Sequence, residues 1–274
     1  MKKSRTRNWT GLFIYAQVFI VLLVILFPLG WMVLASLRNN VDIISFPPTL
    51  FAPITFDNYL GLVKQYTFGK YVVNSVIIAL GSTLLGLLLG VPAAYAAARY
   101  KMQRWAFLTL LARMAPGVLF LIPWYIVTIQ FRLTDSYLTV IATHTVITMP
   151  VIVWLMLSFF EDLPPEVEEA AMIDGCSPYQ VLLRVALPLS VPGLTVSGIL
   201  AFIFSWNYFL FALVLAGVHT MPLTVAAFQF IGVSMIDWGG LAAAATVISF
   251  PPLILTLFVQ RWLVRGLTAG AVKG

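Results

Sequence analysis

Residues 168–188 read EEAAMIDGCSPYQVLLRVALP. This polar stretch decides how the chain is organised, because almost everything around it is apolar. Six of the ten carboxylates, Glu161, Asp162, Glu166, Glu168, Glu169 and Asp174, fall between positions 161 and 174. Acidity gathered into one loop points to a partner for that loop. Local rules build it. Pro164-Pro165 stops the preceding apolar run and can start a helix, since proline is tolerated at the first helical position. Glu166, Glu168 and Glu169 then occupy the first turn, where carboxylates complement the positive end of the helix dipole. Ala170 and Ala171 present a small surface that permits close approach. Gly175 supplies a left-handed stop, and Ser177-Pro178-Tyr179-Gln180 reads as a capping box opening a second helix. Leu187-Pro188 marks the bend into the next apolar run. The expectation is a short helix held clear of the apolar segments, shaped to enter a groove.

Those apolar segments set the class. With 61% hydrophobic and 9% charged residues among 274, and a mean hydropathy of +0.98, the chain is not an ordinary soluble domain. A helix needs about 20 apolar residues to cross a bilayer. Six segments qualify, at 11–35, 71–95, 106–129, 138–160, 188–217 and 241–263. The first follows a basic start but is longer than the ~7–15 residues of a signal peptide's apolar core, so it reads as an uncleaved span. The expected fold is an all-α integral membrane protein, one transmembrane domain over 1–274, with the polar loop at 161–187 between the fourth and fifth spans.

Positive charge then orients the chain. With the N-terminus inside, the inner segments carry eleven cations: Lys2, Lys3, Arg5, Arg7, Arg99, Lys101, Arg104, Arg184, Arg261, Arg265 and Lys273. The outer segments carry four, Arg38, Lys64, Lys70 and Arg132. The asymmetry predicts both termini in the cytoplasm. It also accounts for the net charge of +6, with no basic cluster that would suggest nucleic acid. One cysteine, Cys176, excludes an internal disulfide, and with His144 and His219 it makes no metal site. His144 is expected at a short turn between spans, as a packing or interfacial residue.

Inside the spans, Arg113 is the main anomaly, since a central charge costs ~2.5–3.5 kcal/mol on insertion scales. It lies roughly 12 Å along the helix from Trp105. It either lines a cavity or pairs across a subunit interface, or else snorkels to the inner surface. Pro116-Gly117 and Pro123 weaken or kink the same span. Trp206, Asn207 and Tyr208 form a polar-aromatic group suited to sugar contact, while hydrogen bonding between helices explains Asn207 equally well. Outside, 36–70 reads as extended turns with a short amphipathic helix, and LTVAAFQFIGV within 218–240 as re-entrant or surface-lying.

The loop constellation, E-A-A with Gly175 and Leu187-Pro188 at set offsets between spans four and five, resembles the signature loop of permease subunits of binding-protein-dependent ABC importers. Further segments resemble the carbohydrate class, of the six-span maltose-system type. They are TFDNY (55–59), NS (74–75), AAYAAAR (93–99), the aspartate of AAMIDG, SWNYF (205–209) and GLTAGAVKG (266–274). The resemblance implies a type I importer fold with a cytoplasmic coupling helix. It implies that Glu168, Glu169, Ala170, Ala171, Asp174, Gly175, Leu187 and Pro188 couple to an ATPase. It also implies that the tail residues Gly266, Leu267, Thr268, Gly270 and Lys273 reach the ATPase subunits, although a frayed glycine-rich terminus explains the tail physically as well.

The implied assembly has a second permease subunit, two ATP-binding subunits and an extracytoplasmic solute-binding protein, in the inner membrane of a bacterium or archaeon. The chain has no phosphate-binding G-x-x-x-x-G-K-[ST] loop, so ATP and magnesium belong to the partners and this chain is no enzyme. Two other readings remain. The same architecture could carry a polyamine, glycerol phosphate or a similar solute. A secondary transporter would instead show internal repeats and carboxylates within its spans, and the expected spans contain none.

Overall fold

The computed structural model describes residues 7–47, 52–64, 67–232 and 235–271, with side chains between positions 11 and 260. In chain order the first elements are α1 (Arg7–Ser36), α2 (Asn40–Ile44), α3 (Asp57–Lys64), α4 (Phe68–Arg99), α5 (Gln103–Met114), a 3-10 turn (Gly117–Phe120), α6 (Leu121–Gln130) and α7 (Tyr137–Glu161). There follow α8 (Pro165–Ile173), α9 (Pro178–Val181), a π turn (Leu182–Ala186), α10 (Leu187–Leu189), α11 (Val191–Asn207), α12 (Leu210–Leu215), α13 (Leu223–Ala226), a 3-10 turn (Ala227–Phe230) and α14 (Trp238–Ala271). Among the described residues, β structure amounts to one bridge between Ile231 and Ile236.

Four helices are long and apolar enough to cross a membrane, over Gly11–Ser36, Phe68–Arg99, Tyr137–Glu161 and Trp238–Gln260. Two further crossings exist only if bent pairs count as single spans. Gln103–Met114 and Gly117–Gln130 meet at 91°, and Pro178–Leu189 and Val191–Asn207 at 82°. The third and fifth expected spans are therefore broken, where the sequence suggested continuous or merely kinked helices. Prolines cause both breaks. Ala115 has φ −62° and ψ 133°, the extended region into which a following proline pushes its neighbour. Ser190 leaves helical geometry between Pro188 and Pro192, neither of which can donate to the carbonyl four residues back.

The chain divides into two compact units, Met1–Thr67 with Ala227–Ile248, and Phe68–Ala226 with Ser249–Gly274. In the first unit α1 exposes nearly all its apolar side chains, as lipid-facing helices do. Its C-terminal carbonyls are not left open. The Asn58 amide donates to Ser36 O at 2.8 Å and Arg38 O at 2.9 Å, and Ser36 Oγ lies 2.7 Å from the Tyr59 hydroxyl. The TFDNY segment thus closes the end of α1. Asn40 donates to Asp237 Oδ1 at 2.9 Å and accepts from Gly239 N at 2.9 Å.

The second unit is built on α4 and α7. Gly86 and Gly90, one turn apart on α4, let that helix approach Ile152 of α7. A Cβ at Gly86 would sit 2.9 Å from Ile152 Cδ1, and one at Gly90 3.1 Å from Ile152 Cγ2. Small residues four apart are a common device for close packing in lipid. Around this seam lie Val91, Ala94, Val153, Met156, Phe160 and Ala201, all buried. The buried polar groups close on one another. Ser82 Oγ donates to Ser205 Oγ at 2.7 Å, and Ser205 Oγ lies 2.9 Å from His144 Nδ1. His144 is therefore not at a turn. It is 1% exposed, two turns inside α7, and ties that helix to α11.

Loop segments are tied down in the same way. Asn74 donates to His219 O and Met221 O, each at 2.9 Å, and accepts from the Tyr137 hydroxyl at 2.7 Å. Ser75 Oγ accepts from Leu223 N at 2.7 Å. The LTVA stretch is consequently a short helix, α13, with Leu223, Val225 and Ala226 buried, which sets aside the surface-lying one of the two expected alternatives. Asp135, before α7, accepts from Gly217 N, His219 N, Thr220 N and Thr220 Oγ1 at 2.7–3.0 Å. Burial alone raises the Asp135 carboxyl, but the bonds from His219, Thr220 and Gly217 outweigh it and hold the group below the ordinary carboxylate range.

A depressed folded pKa stabilises the fold above the unfolded value near 4 and loses that contribution as pH falls through the folded value. Thermal melts of the detergent-solubilised protein should therefore show Asp135→Asn about 1.5–3 kcal/mol less stable at neutral pH. The gap should begin to narrow as pH falls below about 5 and go on narrowing below about 4. A constant gap across that range means the Asp135 charge contributes nothing.

Candidate coupling site

α7 ends at Glu161, and Pro164 is extended at φ −58° and ψ 126°, so α8 opens with Pro165 at its first turn. Its far end is closed by two backbone bonds: Gly175 N to Met172 O and Cys176 N to Ala171 O, both 3.0 Å. This is the paired closure of a Schellman stop, and it requires the left-handed φ of +89° at Gly175. α9 follows behind a true capping box. Gln180 N donates to Ser177 Oγ at 3.4 Å while Ser177 N donates to Gln180 Oε1 at 2.8 Å. Both turns read from the sequence are present.

Between these stops α8 has two faces. Glu166, Glu169, Ala170 and Ile173 are exposed, and their spacing of three, four and seven places them on one side. Ile173 is 86% exposed. Ala171 is half-buried, and Asp174 and Gly175 are exposed in the turn. Glu168 departs from the expected exposed carboxylates. It is 4% exposed and turned inward, where Arg99 Nε donates to Oε2 at 2.6 Å and Arg99 Nη2 pairs with Oε1. The Tyr95 hydroxyl adds a third bond to Oε2, at 3.0 Å. The sequence argument missed this partnership. Its one trace was Tyr95 and Arg99, four residues apart at the end of AAYAAAR, a spacing that puts both on one face.

Beyond α9 the chain passes through the π turn into α10. Leu187-Pro188 lies in α10, just before the Ser190 break, so that pair does stand at a bend. Of the tail residues, Gly266, Leu267, Thr268 and Gly270 lie on the backbone of α14. Their side chains, and Lys273 altogether, fall outside the described residues.

Known proteins are similar to this chain in sequence and in fold. Residues 82–269 match the family model for the inner membrane component of binding-protein-dependent transport systems. The chain belongs to this family. A probable ABC transporter permease of Sinorhizobium fredii is 34% identical over 98% of this chain and 99% of its own length. A trehalose transport system permease of Mycobacterium tuberculosis is 34% identical over 91% of this chain and 93% of its own. A chain of a bacterial ABC transporter involved in importing the polysaccharide alginate superposes with a TM-score of 0.77. It is 22% identical and is matched over 95% of this chain and 99% of that one. This is a transport permease of the ABC importer type, with its type I fold.

The membrane residues separate. A cavity of about 560 Å³ in the second unit is lined by Arg113, with Thr109, Thr145, Gly117, Trp124 and Phe211. Arg113, which contributes to this lining, places its guanidinium 4.4 Å from the centre of the Phe204 ring. Trp206 is 4% exposed and stacks on Phe202 at 5.7 Å. Asn207 donates to Ile203 O of its own helix at 2.9 Å, which is neither a contact across helices nor a free amide. Tyr208 packs edge-on against His144 at 5.4 Å. Trp206, Asn207 and Tyr208 therefore do not converge on one site.

Gly175→Val should abolish solute uptake at normal expression, because a β-branched residue in the left-handed region costs about 1–2 kcal/mol and opens the stop. Wild-type uptake by this variant removes the α8 stop from the mechanism.

Proposed function

We propose that the chain is the permease subunit of a sugar importer, and that α8 receives the movement of an ATP-binding subunit. The face formed by Glu166, Glu169, Ala170 and Ile173 carries the reading. An exposed isoleucine beside a small residue and two carboxylates, on a helix fixed by stops at both ends, is suited to a protein groove. The names of the relatives support a sugar as cargo, trehalose among them. In this reading ATP and magnesium are held by two partner ATPases, and a second permease subunit completes the path. An external solute-binding protein delivers the sugar. Closure of the ATPases displaces α8, and the stroke passes through the π turn and Leu187-Pro188 to α11. A packed rigid-body shift of that kind switches access from one side to the other. The tail at 266–274 adds a second contact with the ATPase.

In a Cys176→Ser background, Glu169→Cys should cross-link to an ATP-binding subunit of the purified transporter, with a yield that changes with nucleotide. Ala170→Trp should reduce ATPase co-purification more than Glu166→Ala does. An exposed charge pair contributes under ~1 kcal/mol, whereas a large ring blocks docking sterically. Full ATPase stoichiometry with Ala170→Trp would leave α8 as a solvated turn and end this reading.

The same reading places both termini and the α8 loop in the cytoplasm. An impermeant maleimide should then leave Cys176 unlabelled in intact cells and label it once the cells are opened. Labelling from outside reverses the orientation.

A further inference from the structure

Among the described residues, one side chain of α8, Glu168, makes polar contacts with the rest of the second unit. Glu168 spends both carboxylate oxygens on groups of α4: Oε2 on Arg99 Nε at 2.6 Å and on the Tyr95 hydroxyl at 3.0 Å, Oε1 on Arg99 Nη2. A bidentate guanidinium–carboxylate pair fixes orientation as well as distance. Its shell is built around it. The Arg99 guanidinium lies 5.6 Å from the centre of the Tyr95 ring, and Tyr95 meets Phe160 of α7 edge-on at 5.3 Å. Glu168 is thus joined to the ends of the two helices that pack together most closely in the unit. Turned away from the exposed face, it is not available to a docking partner. On the other side α8 connects to α11 through a turn, the helical stretch Pro178–Leu189 and the 82° bend at Ser190.

We propose that the Glu168–Arg99 pair, steadied by Tyr95, is a latch that makes α8 move as one body with α4 and α7. The stroke received at α8 then reaches the membrane through α4 and α7 as well as through the link to α11. Glu168 and Arg99 are positioning residues in this scheme. The proposal rests on the reading of α8 as the ATPase contact.

The test uses the complete transporter with its binding protein in liposomes, and reads solute molecules imported per ATP hydrolysed alongside ATPase stoichiometry after purification. Glu168→Gln and Arg99→Gln should each lower that ratio at least about tenfold, a coupling loss of about 1.4 kcal/mol, with ATPase subunits still bound. Arg99→Lys, which keeps the charge and loses the fork, should fall between them and the wild type. The double variant should be no worse than the poorer single one, because both remove the same link. An unchanged ratio in the single variants overturns the latch, as do losses that multiply in the double variant. A merely structural role also overturns it, and would show as less assembled transporter with a wild-type ratio in what remains. Loss of bound ATPase in Glu168→Gln would make Glu168 a docking residue and likewise end the proposal. The reading of α8 itself stands or falls separately, on the Glu169→Cys cross-link.

Discussion

The second unit depends on how near α4 can come to α7. Lipid offers no hydrophobic drive between two apolar helices, so their association relies on dispersion contacts and on polar groups that find one another. Dispersion falls away within an ångström of the optimal separation, which makes the closeness at Gly86 and Gly90 decisive. With the α4 backbone against Ile152, Ser82 is brought within reach of Ser205 and Tyr95 within reach of Phe160. α11 then packs on both helices, and the end of α4 presents Arg99 to α8. Larger residues at the two glycines would separate these contacts together, not one at a time.

Polar closure supplies the uniqueness that apolar packing lacks. A helix surface of leucine and valine can slide or rotate against another at little cost, whereas a hydroxyl that loses its partner in hydrocarbon costs free energy. The Ser82–Ser205–His144 chain fixes α4, α7 and α11 in register in mid-bundle. Asn74, Ser75 and Asp135 do the same at one end of the unit, each bonding to backbone between Gly217 and Leu223. Both asparagine and aspartate act there through several bonds to main chain. That segment carries no regular structure of its own to satisfy its amides.

What could be read in the sequence was whatever is encoded locally. Length and apolarity announce a span, a proline pair announces a helix start, and Gly175 and Ser177–Gln180 announce a stop and a cap. All of these depend on residues within a turn or two. Glu168 illustrates the limit. Its first-turn position was correctly assigned by dipole and propensity, but those rules apply equally to Glu166 and Glu169, which face out. Only Arg99, sixty-nine positions earlier, distinguishes the three. His144 failed for the same reason, since its partner Ser205 is equally remote. Asn207, read as a binding group from its two aromatic neighbours, is exposed and gives one amide bond to the carbonyl one turn back.

The prolines separate the stiff parts of the unit from the compliant ones, and neither their number nor their spacing decides which is which. Pro92 and Pro150 lie inside α4 and α7, which continue through them. Pro116, Pro188 and Pro192 stand at breaks of 91° and 82°. Each proline removes the same hydrogen bond and adds the same ring, so the difference must come from the surroundings. Pro150 is buried beside Val151 and Ile152, and Pro92 sits next to buried Gly90, Val91 and Ala94. Met114 and Val118 around Pro116 are 78% and 57% exposed, and Leu189 and Val191 around Ser190 are 53% and 51% exposed. Exposure alone does not decide it, since Pro28 and Pro251-Pro252 lie within α1 and α14, which continue through them with exposed neighbours on either side. Pro92 and Pro150 thus lie in the two helices that pack closely along the seam and run straight through it, whereas the bends fall between α5 and α6 and at Ser190, between α10 and α11.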